Sequence, residues 1–307
     1  MTGIPVGLGA AQKARFAALD ARLPAAAGPP EGERLDAFTP QGRPVSAILQ
    51  RLTHPPGSFD LLWSAAEVWQ LFPFIGDTGT DGMDALLRAA YERLGTETPG
   101  PDSSCTVNWP SHDAEAIRAF LDHGFVPIYT LAVRTAPAPP SPSTGLTVRR
   151  AEPADFDDVL ELAVSTFDYT GLVGSRKRAN TAELLAPQLR RKLTEGYPIW
   201  LAEQHGTAAG MADCGWIDSA PGSSTAELLP PGRWGYVNNA VTSPQLRGGG
   251  VGQALMSLVH NEFHREGAVG TYLYYNPPNP LSSVFWHRQG YRPLWTLWEI
   301  RPASALR

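Results

Sequence analysis

The octapeptide Gly124-Phe-Val-Pro-Ile-Tyr-Thr-Leu131 returns about 165 residues later as Gly290-Tyr-Arg-Pro-Leu-Trp-Thr-Leu297, with glycine, aromatic, proline, aliphatic, aromatic, threonine and leucine in the same order. Other marks keep the offset. Gln41-Gly42 and Pro56-Gly57 stand where His205-Gly206 and Pro221-Gly222 stand, each at a turn between strand-like runs, and Ala116 and Phe120 match Ser282 and Trp286. A chain that repeats its spacing this way is expected to build two related units. Between the copies lies Thr135 to Thr144, with four prolines and no large apolar residue, which reads as a semi-rigid exposed linker. The expected division is therefore 1–134, linker 135–144, and 145–307. With 307 residues and 43% hydrophobic content, each half can form a core of its own.

Hydrophobic periodicity alternates between strand and helix in both halves, which predicts an α/β fold with a mixed sheet. In the C-terminal half the expected order is a strand at Leu146 to Arg150, a helix at Pro153 to Phe167, and a hairpin of Ile199 to Glu203 with Ala208 to Ile217. A strand from Gly235 to Val241 then leads into a helix from Gly252 to Glu266. A strand at Thr271 to Tyr275, a helix at Leu281 to Gln289 and a strand at Pro293 to Arg301 complete it.

The chemistry concentrates at Arg247-Gly248-Gly249-Gly250-Val251-Gly252, between the strand and the helix. The first amides of a helix lack intrahelical acceptors and sit at the positive end of its dipole, so main chain there can hold a diphosphate. Glycines remove the Cβ atoms that would keep the loop away from an anion, and Arg247 adds a cationic fork. A P-loop is excluded because Gln253-Ala254, and not Lys-Ser/Thr, follows Gly252. A dinucleotide fingerprint is excluded because Glu262 and Glu266, the downstream acids, fall inside the helix and not at a strand end.

Arg247, Gly250 and Gly252 fill the Gln/Arg-x-x-Gly-x-Gly/Ala pattern, and Asn279, Ser282, Trp286 and Gly290-Tyr291 follow in the order of a second motif. Together they resemble the GNAT superfamily, the GCN5-related N-acetyltransferases, across Gly145 to Arg301. The resemblance implies a tandem fold and an acyl-CoA co-substrate, most simply acetyl-CoA, with a small-molecule or peptide amine as acceptor. It places the diphosphate on Arg247, Gly248, Gly249, Gly250, Val251, Gly252 and Gln253. The pantetheine arm would run between the strands ending at Val241 and Tyr275, held by backbone near Asn239 and Val241, and Asn279, Ser282 and Trp286 would also contact the coenzyme. The amine would attack the thioester directly, with a backbone N–H near Asn239 stabilising the oxyanion.

Two departures from the family matter. The strand Trp234-Gly-Tyr-Val-Asn-Asn-Ala-Val241 carries no carboxylate where a glutamate base often stands, leaving Asn238 and Asn239 to position a water, with Asp213, Asp218 and Glu227 as distant bases or ordinary surface carboxylates. Trp286 stands where many members have a tyrosine acid, and an indole N–H is too weak an acid to protonate a thiolate. Tyr275 and Ser283 are the candidate donors in its place, beside Tyr274 and solvent. The basic stretch Arg176 to Leu193 looks like the region that shapes the acceptor site in the family.

In the N-terminal half the loop position reads Gly76-Asp77-Thr78-Gly79-Thr80-Asp81-Gly82, with two carboxylates that oppose a diphosphate, and Asp113 stands where Asn279 stands. That half is expected to be a degenerate copy without coenzyme. The alternative for the whole chain is an acyl-CoA-binding sensor or scaffold without turnover. A formal charge of −5 gives no basic stripe for nucleic acid, and no apolar run reaches the length of a membrane span, so a soluble cytoplasmic protein is expected. Cys105 and Cys214 are too few for a disulfide framework or a zinc cluster. His260 and His264 have metal-ligand spacing but no third ligand, so no metal is expected. Oligomeric state is not encoded in any of these features.

Overall fold

A computed structural model describes residues 4–25, 28–136, 145–174 and 176–307. Most of the proline-rich linker expected at 135–144 lies outside the described residues. The chain forms two compact units.

The first unit holds 1–130, 221–230 and 293–307. Its elements are α1 (Val6–Leu19), β1 (Glu33–Phe38), β2 (Pro44–Thr53), β3 (Glu67–Phe74), α2 (Gly79–Gly95), β4 (Ser103–Pro110), α3 (Ala114–Asp122) and the start of β5 (Val126–Arg134). The pairing order within it is β1-β2-β3-β4, then β11 (Arg292–Ile300), then β5. Strand β3 runs antiparallel to β2 and parallel to β4, which makes the sheet mixed. Asp113 caps α3 by accepting from the Ala116 amide, the local signal that starts a helix here.

The second unit holds 131–220 and 231–292. It comprises β6 (Thr147–Arg150), α4 (Phe156–Gly171), α5 (Thr181–Thr194), β7 (Ile199–Gln204), β8 (Thr207–Ser219), β9 (Gly232–Thr242), α6 (Val251–Arg265), β10 (Gly270–Tyr275) and α7 (Pro280–Arg288). Its order is β10-β9-β8-β7-β6, with the end of β5 beside β10. Each expected element forms within a few residues of its expected bounds. The stretch Arg176 to Leu193 is more than an exposed basic segment: α5 buries Thr181, Leu185, Leu189 and Leu193 along one side, the spacing of an amphipathic helix.

The units do not follow the linker alone. Strand β11, the last of the chain, pairs antiparallel with β4 from Trp295↔Pro110 to Ile300↔Cys105, while Leu131–Arg134 at the end of β5 belong to the second unit. Compared with 145–307, the compact second unit gains Leu131–Arg134 and leaves 221–230 and 293–307 to the first. Both copies of the octapeptide follow a helix through a glycine with positive φ, +85° at Gly124 and +89° at Gly290, and both bury the next aromatic, Phe125 and Tyr291.

Helix α6 makes the core of the second unit by laying Val251, Leu255, Met256, Val259 and Phe263 against Val237, Leu273 and Tyr275. The helix approaches closely because Gly235 has no side chain; a Cβ there would stand 2.5 Å from Phe263 Cγ. Gly235→Ala is expected to cost about 1–3 kcal/mol through overpacking, read as a lower urea midpoint; an unchanged midpoint would contradict this packing.

Candidate functional site

Strand β9 ends at Thr242, and a 3-10 turn, Pro244–Leu246, carries the chain to Arg247 and the glycines. Gly248 has φ +84°, and Gly250, the N-cap of α6, has φ +81° and ψ 0°. Both conformations are left-handed, which explains glycine at these two positions. No side chain caps the helix and its first turn holds no acid, so the amides of Val251, Gly252 and Gln253 meet no competing carboxylate. Arg247, Gly248, Gly249 and Gln253 are exposed, while Val251 is buried as the anchor of the turn. The Arg247 guanidinium lies 5.2 Å over the Tyr169 ring of α4, a contact no sequence spacing announces. This end of α6 can take an anion.

Beside it the β9–β10 pairing is short. The parallel ladder of β9 with β10 runs from Trp234↔Gly270 to Val237↔Leu273 and stops. Beyond Val237 the facing edges of the two strands separate. On its other side β9 stays paired with β8, but the register skips one residue: Asp213 pairs with Asn239 and Cys214 with Val237, so Asn238 bulges. The bulge turns both asparagines toward α4 and α5. Asn239 Oδ1 accepts from Thr166 Oγ1 at 3.2 Å, and Asn238 Nδ2 donates to Asp213 Oδ2 at 2.6 Å.

Asp213 is not a surface carboxylate. It is 2% exposed, and Lys192 Nζ donates to both its oxygens at 2.8 and 2.7 Å. Its oxygens are engaged by Lys192 and Asn238. Asp218 is exposed, and Glu227 belongs to the first unit.

On α7, Asn279 is the N-cap, its Oδ1 accepting from the Leu281 and Ser282 amides at 3.0 and 3.1 Å. Ser282 and Ser283 are half-buried, and Ser283 Oγ donates back to Asn279 O at 3.0 Å. Trp286, expected against the coenzyme, is instead 6% exposed and packs edge-on to Phe285 and Tyr291 inside the core. The reason is the helical period, which turns position 286 inward. Tyr275 likewise faces the α6 core, 7% exposed, with its ring edge-on to His287. Its neighbour Tyr274 points the other way, 44% exposed and edge-on to Tyr236 and Tyr272, which stack at 4.7 Å. Strand alternation alone separates the two hydroxyls. Burial raises the pKa of the Tyr236 and Tyr272 phenols, so both stay protonated across the neutral range.

The corresponding place in the first unit is filled by protein. There the β3–β4 ladder stops at Leu71↔Val107, while β2 and β3 pair from Ser46↔Phe74 to Thr53↔Glu67 without a bulge. The side chain of Gln12, from α1, occupies the freed edge of β3: Nε2 donates to Pro73 O at 3.2 Å, and Oε1 accepts from the Ile75 and Gly76 amides at 3.2 and 3.0 Å. Leu8 and Ala11 close over Gly76, and Phe16 sets its edge on Trp109 of β4. Arg15 binds Asp113 through Nε and Nη2 at 2.7 and 2.5 Å. Asp77 pairs with Arg43, and Asp81 accepts from Gln41. Arg43 thus offsets the charge of Asp77, while Asp81 keeps its own, and the helix adds a second obstacle.

His260 Nε2 lies 2.9 Å from Tyr291 Oη in the core, and His264 is exposed; among the described residues no three ligating side chains gather for a metal. Burial, with Arg134 nearby, lowers the pKa of His260 from 6.5 to about 3. The unfolded chain therefore takes up a proton at this residue that the folded chain refuses. Stability is full above the unfolded value of 6.5 and is expected to fall by about 1.4 kcal/mol per pH unit below it, toward pH 3. Urea midpoints for the wild type and His260→Gln across this range test it; parallel curves would refute it.

The family described as "Acetyltransferase (GNAT) family" matches residues 157–291, the segment that contains the bulge, the glycine loop and α7. A GCN5-related N-acetyltransferase from Sphaerobacter thermophilus superposes with a TM-score of 0.54 at 15% identity, covering 88% of this chain and 81% of that one. A predicted acetyltransferase with acetyl-CoA from Clostridium acetobutylicum gives a TM-score of 0.37 at 20% identity over 46% of this chain and 88% of that one. No curated protein matches the sequence significantly. Among the described residues no helix is long and apolar enough to cross a membrane. Residues 157–291 thus match the GNAT acetyltransferase family, which supports an acyltransferase that takes an acyl-CoA as co-substrate.

Proposed function

We propose that the second unit transfers an acyl group, acetyl in the simplest case, from coenzyme A to an amine of a small-molecule or peptide acceptor, with one coenzyme per chain. The observation that carries this reading is the continuity of the bulged β9 edge with the uncapped, glycine-lined start of α6. The loop from Arg247 to Gln253 holds the diphosphate, and the arm lies along the edge at Asn239 to Val241. The amine nitrogen attacks the thioester carbon, a backbone N–H at Asn239 or Val241 takes the oxyanion's charge, and collapse expels the thiolate. The attacking nitrogen loses its proton to water held by Asn239, because Asp213 is committed to Lys192 and Asn238. Tyr274, the phenol on the open face, is the better donor for the thiolate than Tyr275 or Ser283, whose hydroxyl is bonded to Asn279. The first unit carries no second coenzyme, because β3 lacks the bulge of β9 and α1 holds the edge that the arm would need.

Trp286 in the core and the lack of a carboxylate on β9 favour the second reading, a sensor that binds acyl-CoA without turnover. Thiol release from acetyl-CoA against a panel of amines separates the two. Release that rises with an acceptor supports transfer, and release that no amine accelerates supports the sensor.

A further inference from the structure

We propose that Asp213, acting through Asn238, is a positioning residue that sets the shape of the coenzyme groove; this rests on the acyltransferase reading above. The bulge at Asn238 leaves two successive β9 residues facing the same side, an arrangement that backbone pairing alone does not fix. Here side chains fix it. Asn238 is held at both ends: its Nδ2 donates to Asp213 Oδ2 at 2.6 Å, and its Oδ1 accepts from Tyr236 Oη at 3.0 Å. Asp213 is anchored in turn by Lys192 of α5, both groups being largely buried. A charge-assisted chain from α5 to the bulge therefore decides which way the backbone of Asn239 to Val241 turns. That segment is the wall on which the pantetheine arm would lie, whereas the diphosphate loop begins five residues after Thr242, at Arg247.

This separation allows a test that general destabilisation does not imitate. Full-length wild-type, Asn238→Ala and Asp213→Asn proteins are titrated with coenzyme A and, separately, with ADP, which carries the diphosphate but not the arm. Asn238→Ala is expected to weaken coenzyme A about tenfold and leave ADP within about twofold, and kcat for acetyl transfer falls further than the coenzyme affinity. Asp213→Asn leaves Lys192 buried beside a neutral amide, so it is read beside Lys192→Gln with Asp213→Asn, which removes both charges and keeps one amide oxygen to accept from Asn238 Nδ2; this double variant is expected to recover most of the coenzyme affinity. Equal losses for coenzyme A and ADP, or no loss for either, would overturn the positioning role while leaving the acyltransferase reading in place. A wild-type protein that binds neither ligand would overturn both.

Discussion

Arg247→Glu combined with Gly250→Asp is expected to weaken acetyl-CoA binding by at least a hundredfold, about 3 kcal/mol. The two changes act on one anion in different ways. Arg247 is exposed, so reversing its charge works through a screened interaction of about 1–2 kcal/mol. Gly250 has φ +81°, where a side chain adds about 1 kcal/mol of strain, and an aspartate there places a carboxylate at the first amides of α6. Because Gly248 and Gly250 shape an exposed loop rather than the core, the variant should keep its melting temperature within a few degrees. Calorimetry with acetyl-CoA reads affinity and stoichiometry together. Wild-type binding at one site per chain that disappears in the variant is the expected result, and undiminished affinity would remove the diphosphate from this loop.

The second large effect is expected at Gln12→Ala in the first unit. Gln12 is 2% exposed, and its amide answers the carbonyl of Pro73 and the N–H groups of Ile75 and Gly76. Truncation leaves those backbone groups buried without the partner they now have, at about 1–3 kcal/mol for each that water does not reach, so a total loss of about 3–5 kcal/mol is expected. Hydrogen exchange gives the local reading: the Ile75 and Gly76 amides should exchange at least tenfold faster than in the wild type. Coenzyme stoichiometry should remain one per chain, since the bulge of β9 has no counterpart in β3. A second coenzyme site appearing in this variant would show that the helix alone had closed it, and unchanged exchange would deny Gln12 its role.

Much of the site was legible in the sequence. Arg247 to Gly252 announced a strand-to-helix loop, and the backbone supplied the left-handed glycines and the uncapped helix start that the pattern demanded. Asn279 as an N-cap followed from an Asn preceding a helical run. Tyr275 against Tyr274 is different: adjacent residues on one strand face opposite ways, and choosing the face required knowing which side α6 covers. For Asp213 the sequence offers only a distant base or a surface carboxylate, because its partner lies 21 residues away on a different element, and nothing local records such a pairing. Gln12 carried no signal at all, since its partners are backbone groups more than 60 residues distant.

The repeat marks the deepest division between the two levels. Sequence by itself determined that Gly124 and Gly290 each end a helix and open a strand, because turn chemistry depends only on neighbours in the chain. It could not determine which neighbours each strand pairs with. Val126–Arg134 and Arg292–Ile300 are near-interchangeable as strands, so local preference is nearly the same for either pairing. Tertiary structure decided it through long-range packing: Trp298 stacks on Phe120 in the first unit, and Arg134 donates to Gln289 O in the second. The β9 bulge was decided in the same way, because its partners Lys192 and Asp213 reach Asn238 only once α5, β8 and β9 have met.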